Sequence, residues 1–201
     1  VSDQSTLALL REHLTTAEDG TVTDQGRNLL GWGLNTSGEL GLAAGTDSAA
    51  LPTLVNQVWK TIGEYAMNFT AHGSRAFVTT NADHLYGTGV NGTTYNALAQ
   101  GQSVGNVDTF TQLRKFDDSG NRGLTDVYYY NSDPDSAYLE NVVMAVTGDN
   151  HTMVLRNDGS IYAWGDNRSG QLGSYLTNAN ANIDSINEGT TANGNPAMRI
   201  Y

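Results

Sequence analysis

The chain has 201 residues, of which 38% are hydrophobic and 15% charged, with no cysteine and a formal net charge of −11. Without cysteine there are no disulfides, no thiolate metal sites and no Cys nucleophile. A surface this acidic, with Lys60 and Lys115 as its two lysines, repels phosphate backbones and argues against nucleic acid as a partner, and no apolar run is long enough for a membrane span.

In chain order, the first predicted element is a helix over Asp3 to Leu14. Ser2, Asp3 or Ser5 could cap it, and Leu7, Leu10 and Leu14 fall on one helical face. Residues 1–19 are therefore expected to form an N-terminal helical segment. From residue 20 to 201 the composition turns to Gly, Asn, Thr and Ser, which predicts many tight turns and an all-β fold.

Within that region a pattern recurs. Thr23 to Asn35, Thr79 to Asn91 and Leu155 to Asn167 align without gaps, and each ends in Gly-x-Asn: Gly33 and Asn35, Gly89 and Asn91, Gly165 and Asn167. Trp32 and Trp164 precede that Gly in the outer copies, and Thr88 takes the place in the middle one. Ser37-Gly-Glu-Leu-Gly41 matches Ser169-Gly-Gln-Leu-Gly173, whereas the middle copy reads Thr93 to Leu98 there. Tyr65 to Thr80 and Asn141 to Arg156 each read as two short strands about a Gly-containing turn. Val142 to Val146, His151 to Leu155 and Ser160 to Trp164 are strand-like runs, with Asn157-Asp-Gly159 as a hairpin turn. The step from Asn91 to Asn167 exceeds that from Asn35 to Asn91 by 20 residues, and the excess falls in a loop-like insertion at about 116–138. Insertions in repeat folds lie on one face, often the binding face.

Gly148 to Gly173 resembles one repeat of the regulator-of-chromosome-condensation family. The shared features are a Gly-x-x-His turn at Gly148 and His151, an Asp-Gly hairpin, a Tyr-x-Trp-Gly strand and a Gly-Gln-Leu-Gly loop. Gly31 to Val55 matches as well, and the middle copy departs with Arg75 in the place of His151. The resemblance implies a partial β-propeller of four-stranded antiparallel blades. In such blades Trp fills the space between sheets, Gly lets backbone approach, and the His ring bonds to turn backbone. This family's propeller usually has seven blades. A chain of this length holds a partial set and ends inside a repeat, so further blades are expected from a longer polypeptide or from other chains.

Three motifs compete with that reading. Gly87 to Gly92 is a G-x-G-x-x-G, but it coincides with the middle repeat rather than a strand-to-helix turn. Asp117 to Asn121, with Asp126, Asp133 and Asp135, is oxygen-rich, but its spacing is not that of a calcium loop, and a solvated insertion is preferred. Tyr128, Tyr129 and Tyr130 in the same insertion are the candidate protein-contact residues. No cofactor or metal site and no catalytic grouping is predicted. Glu39, Glu64 and Glu140 are the only acids singled out for a carbohydrate-active enzyme, and sequence cannot pair them.

The expected function is a non-catalytic protein-interaction or structural module. Its partners would be proteins, including other copies or chains that complete the propeller. Low lysine and the absence of cysteine suit an extracellular or virion surface, such as a phage tail or fibre or a bacterial adhesin. The resemblance implies an alternative: nucleotide exchange on a small GTPase.

Overall fold

A computed structural model describes residues 4–10, 14–24, 27–91, 98, 105–113, 138–166, 169, 171 and 198–199. Its strands are β1 (Ser5–Leu9), β2 (Leu14–Thr16), β3 (Val22–Asp24), β4 (Leu29–Leu34), β5 (Ser48–Leu54), β6 (Ala66–His72), β7 (Arg75–Thr80), β8 (Leu85–Gly89), β9 (Val107–Gln112), β10 (Val142–Thr147), β11 (His151–Arg156), β12 (Ile161–Gly165) and β13 (Met198–Arg199). They form three blades of ordered antiparallel sheet: β1-β4-β5, β6-β7-β8-β9 and β10-β11-β12-β13. The β2-β3 hairpin stands where the other two blades have a tight turn.

The expected N-terminal helix is not there. Ser5–Leu9 is a strand that pairs along its whole length with Leu29–Gly33. A lone helix of that length is marginal in water. Pairing with β4 instead buries Ser5 and Leu7 on one face and satisfies the backbone, so tertiary context overrides the helical spacing of the leucines.

The two expected strand pairs are present as β6-β7 and β10-β11. The hairpin at Asn157 to Gly159 is present too, with Gly159 at φ +83°. In the middle blade Asp83 holds the matching place at φ +59°. Both turns close with the same bonds: Thr80 N–H to the His84 carbonyl (3.0 Å) and Arg156 N–H to the Ser160 carbonyl (2.9 Å).

Two apolar layers hold the blades together. The layer between the first and second blades contains Leu7, Leu29, Leu40, Val55, Trp59, Val78, Tyr86 and Phe110. The layer between the second and third contains Phe77, Leu85, Leu98, Leu113, Val154 and Trp164. The centre of the second blade is buried on both sides: every residue of β7 and β8 is buried. Fully burying each large side chain contributes about 1.5–3 kcal/mol, so contact between blades, not any one hairpin, supplies the core.

Candidate functional site

The residues singled out from the sequence meet at a corner that recurs once per blade. Gly33, Gly89 and Gly165 have φ +100°, +105° and +106°. Each faces the residue before the neighbouring strand. A Cβ would lie 2.3 Å from the Gln4 oxygen, 2.1 Å from that of Ser74 and 2.2 Å from that of Asn150. Those same carbonyls accept the next N–H in the chain, from Leu34 (2.9 Å), Val90 (2.8 Å) and Asp166 (2.6 Å). Only glycine can occupy the position, because both the positive φ and the close carbonyl reject a side chain.

Two residues on, the Asn closes the loop that follows. Asn35 Oδ1 accepts from Leu40 N–H at 2.7 Å, while its Nδ2 donates to the Thr46 carbonyl at 2.6 Å. Asn91 Oδ1 accepts from Leu98 N–H at 3.1 Å. Both asparagines and both leucines are buried. Burial of these two amides also withdraws them as glycosylation acceptors, although each begins an N-x-[ST] sequence. Asn167 lies outside the described residues. Just beyond it, Ser169 N–H donates to Gln171 Oε1 at 2.9 Å, as Ser37 N–H does to Glu39 Oε2 at 2.8 Å.

The aromatic positions divide. Trp164 is fully buried and meets Phe77 edge to face, with centroids 6.1 Å apart. Trp32 is only half-buried, because its face of the first blade has no sheet against it among the described residues. Thr88 spans the first interface by a different device, its hydroxyl donating to the Gly38 (2.7 Å) and Val107 (2.8 Å) carbonyls. The volume there is filled by Trp59, which packs on Tyr86 (5.5 Å) and Phe110 (5.2 Å). Trp59 comes from a 3₁₀ turn over Val58–Ile62. Gln57 Oε1 fastens that turn by accepting from Leu29 N–H at 3.2 Å, and Lys60 Nζ donates to Asn28 Oδ1 at 2.6 Å.

His151 lies against the turn it was expected to hold. Its Cε1 would be 2.4 Å from a Cβ at Gly148, so the ring packs directly on that glycine. Among the described residues its ring makes no hydrogen bond. Arg75, in the matching position, does more. It is 5% exposed, and its Nη2 donates to the Gly148 (3.1 Å) and Asp149 carbonyls, tying the second blade to the third. Burial lowers its pKa from the usual 12.5 to about 10, with the nearby Asp149 carboxylate partly opposing the shift. His72 Nδ1 sits 3.2 Å from Asp149 Oδ1 at the exposed rim of this contact. Sequence reasoning noted Arg75 only as a departure from His. A guanidinium at a position that Ser5 and His151 hold in the other two blades was the available signal.

Glu64 is held by Thr80 Oγ1 (2.6 Å) and His84 Nδ1 (2.7 Å), and Glu39 by Ser37 N–H. Gly87 and Gly89 lie inside a strand with antiparallel neighbours on both sides, which is not a dinucleotide-binding turn. Tyr128, Tyr129, Tyr130 and the Asp-rich stretch fall outside the described residues. Among the described residues there is no cluster of three or more His, Asp or Glu able to hold a metal ion, and no helix long and apolar enough to cross a membrane.

A family model, the regulator of chromosome condensation (RCC1) repeat, matches residues 145–171, the stretch that contains β11, β12 and the third corner. One stretch of the chain thus matches an RCC1 repeat, and the blades around it are arranged as part of a β-propeller. Solved structures agree on the fold of these blades. Human WBSCR16 is 19% identical with a TM-score of 0.51, over 80% of this chain and 32% of its own. Prp20p from Saccharomyces cerevisiae is 17% identical with a TM-score of 0.53, over 84% of this chain and 34% of its own. Yeast RCC1 (Prp20), solved with Kap60 bound to it, is 15% identical with a TM-score of 0.56, over 96% of this chain and 36% of its own. The chain thus spans about a third of the length of these propellers. No curated protein matches the chain.

Proposed function

We propose that this RCC1-type segment is a protein-interaction module that contributes blades to a binding surface. The supporting observation is how its conspicuous residues are used. Gly33, Gly89, Gly165, Asn35, Asn91 and Trp164 are all committed to backbone closure or to packing between blades. Among the residues left exposed are apolar ones, including Leu54, Met144, Val146 and Leu155. Exposed apolar surface of this kind marks contact with other proteins. The partner surface we assign to the insertion loop is Tyr128, Tyr129 and Tyr130, and the setting we favour is extracellular or on a virion, on the acidic, lysine-poor and cysteine-free composition.

A second reading has its own support. The structure of Prp20p is described together with its binding to Gsp1p and histones. By that likeness the chain would be part of a nucleotide-exchange surface for a small GTPase. The charge of −11 opposes the histone-associated DNA half of such a role. Affinity capture on the immobilised chain, with mass spectrometry of what is retained, decides the first reading: a specific protein lost on replacing Tyr128, Tyr129 and Tyr130 with Ala supports it. A nucleotide-release assay with purified small GTPases decides the second, and acceleration there would displace the first.

A further inference from the structure

Five N-x-[ST] sequences run through the chain, beginning at Asn35, Asn68, Asn91, Asn150 and Asn167. The oligosaccharide added at such a sequence is bulky and hydrated, so its acceptor must stand at the surface. The fold treats the five unequally. The buried amides of Asn35 and Asn91 are committed to their loops. At Asn150 the side chain is half-buried, the backbone carbonyl closes the third corner, and Thr152, which supplies the hydroxyl of the sequence, is fully buried. Asn167 lies outside the described residues.

Asn68 is different. It is exposed, in β6, and its Oδ1 accepts from the adjacent Phe69 N–H at 2.9 Å. Its Nδ2 makes no hydrogen bond among the described residues. The β6-β7 ladder shifts register between Ala66 and Asn68, which brings Asn68 opposite Thr79. A bulge of this kind re-aims side chains, and two successive residues, Met67 and Asn68, are left exposed. Thr70, the hydroxyl residue of this sequence, is half-buried and so still reachable. The second blade, to which β6 belongs, has a sheet against each face. On the side toward the third blade, Asn68 shares a cleft with Thr70, Phe77, Thr79 and Ala145. Its exposure is therefore set between two blades that are both present.

We propose that Asn68 is a site of N-linked glycosylation, the one among the described sequences that the fold leaves open. Its Nδ2 attacks C1 of the first sugar of a lipid-pyrophosphate-linked oligosaccharide. The C1–N bond forms as the bond from C1 to the pyrophosphate oxygen breaks. The lipid pyrophosphate leaves with the electron pair, and Nδ2 gives up one proton. Oδ1 is unchanged, so its bond from Phe69 N–H persists in the product. The inference goes beyond the interaction-module reading and rests only on its extracellular setting, where an exported chain meets such a donor.

The test is export of the full chain behind a cleavable signal peptide from a eukaryotic cell, with peptide mass spectrometry before and after treatment with peptide N-glycosidase. Expected is a glycan on Asn68 that the glycosidase removes, with Asn35 and Asn91 bare. Asn68→Gln and Thr70→Ala should abolish it, and Thr70→Ser should keep it. Far-UV circular dichroism of the variants should match that of the deglycosylated protein. Cell-free translation with microsomal membranes reads the same transfer where secretion is poor. A bare Asn68 in both systems, or a folded chain glycosylated at Asn35, Asn91 or Asn150 in its place, overturns the proposal. The experiment supplies the export pathway, so a bare Asn68 leaves the extracellular setting and the protein-binding reading standing. Affinity capture that retains nothing would, in turn, leave a glycosylated Asn68 standing.

Discussion

The interface between the first and second blades and that between the second and third are the same joint with different filling. At both, a glycine at φ near +100° lets a carbonyl approach, and a buried Asn ties down the loop that follows. At the second interface the aromatic filler is Trp164, which comes from the repeat itself. At the first, the repeat offers Thr88, and the indole arrives as Trp59 from the connection between β5 and β6. The backbone corner is fixed by sterics that no other residue satisfies. The volume beside it can be filled from more than one place in the chain, since packing demands density rather than a particular donor of it.

That contrast is most directly broken at the corner. Gly165→Ala and Gly89→Ala each place a Cβ about 2 Å from a carbonyl oxygen at an unfavourable φ. Each should cost about 3 kcal/mol or more, or prevent folding. Gly159→Ala, at a turn with open space around it, should cost only about 1 kcal/mol. Denaturant titration separates the two classes, and equal losses would show that steric approach is not what selects the glycine.

The fillers come next. Trp59→Ala and Trp164→Ala should each destabilise by about 3–5 kcal/mol despite their different origins, whereas half-buried Trp32→Ala should cost under about 1.5 kcal/mol in the monomer. A small loss at Trp59 would mean that the first interface is filled by something else. Thr88→Val sharpens the comparison further. It nearly keeps the volume but removes a hydroxyl that donates to two carbonyls, and should cost about 1–2 kcal/mol by the same titration.

The smallest expected effect is a pH dependence. Burial, with Glu64 and Tyr138 adding to it, pushes the Tyr86 phenol up to about 12 from the ordinary 10. Between those values the native state holds a proton that the unfolded chain has lost. Stability from this group is therefore complete below pH 10 and falls as pH rises toward 12. Tyr86→Phe should flatten that part of the slope, and phenolate absorbance should show one tyrosine titrating late. If the slope is unchanged in the variant, Tyr86 is more open to water than its packing implies.

Much of the β architecture was legible because repetition turns weak local signals into a strong one. Gly148 to Gly165 reads correctly as turn, strand, hairpin and strand, and the register of Gly33, Gly89 and Gly165 survives in three dimensions. The helix expected at Asp3 to Leu14 failed because Leu7 and Leu10 fit a helical face, while the partner that makes Ser5–Leu9 a strand, Leu29–Gly33, lies beyond the reach of local pattern. Trp59 was overlooked because it sits between repeats, where no pattern calls for an aromatic. Arg75 was read as a degenerate His, because its bonds to Gly148 and Asp149 exist only once two blades are stacked.

Amide hydrogen exchange at Leu40 and Leu98 tests the shared corner most directly. Neither amide belongs to a strand, and each is bonded instead to a buried Asn side chain, Asn35 and Asn91 respectively. Both should exchange as slowly as the central amides of β8, and Asn35→Ala or Asn91→Ala should release only its own leucine. Rapid exchange at Leu98 in the unaltered protein would contradict the equivalence of the corners, and with it the stacked-blade account.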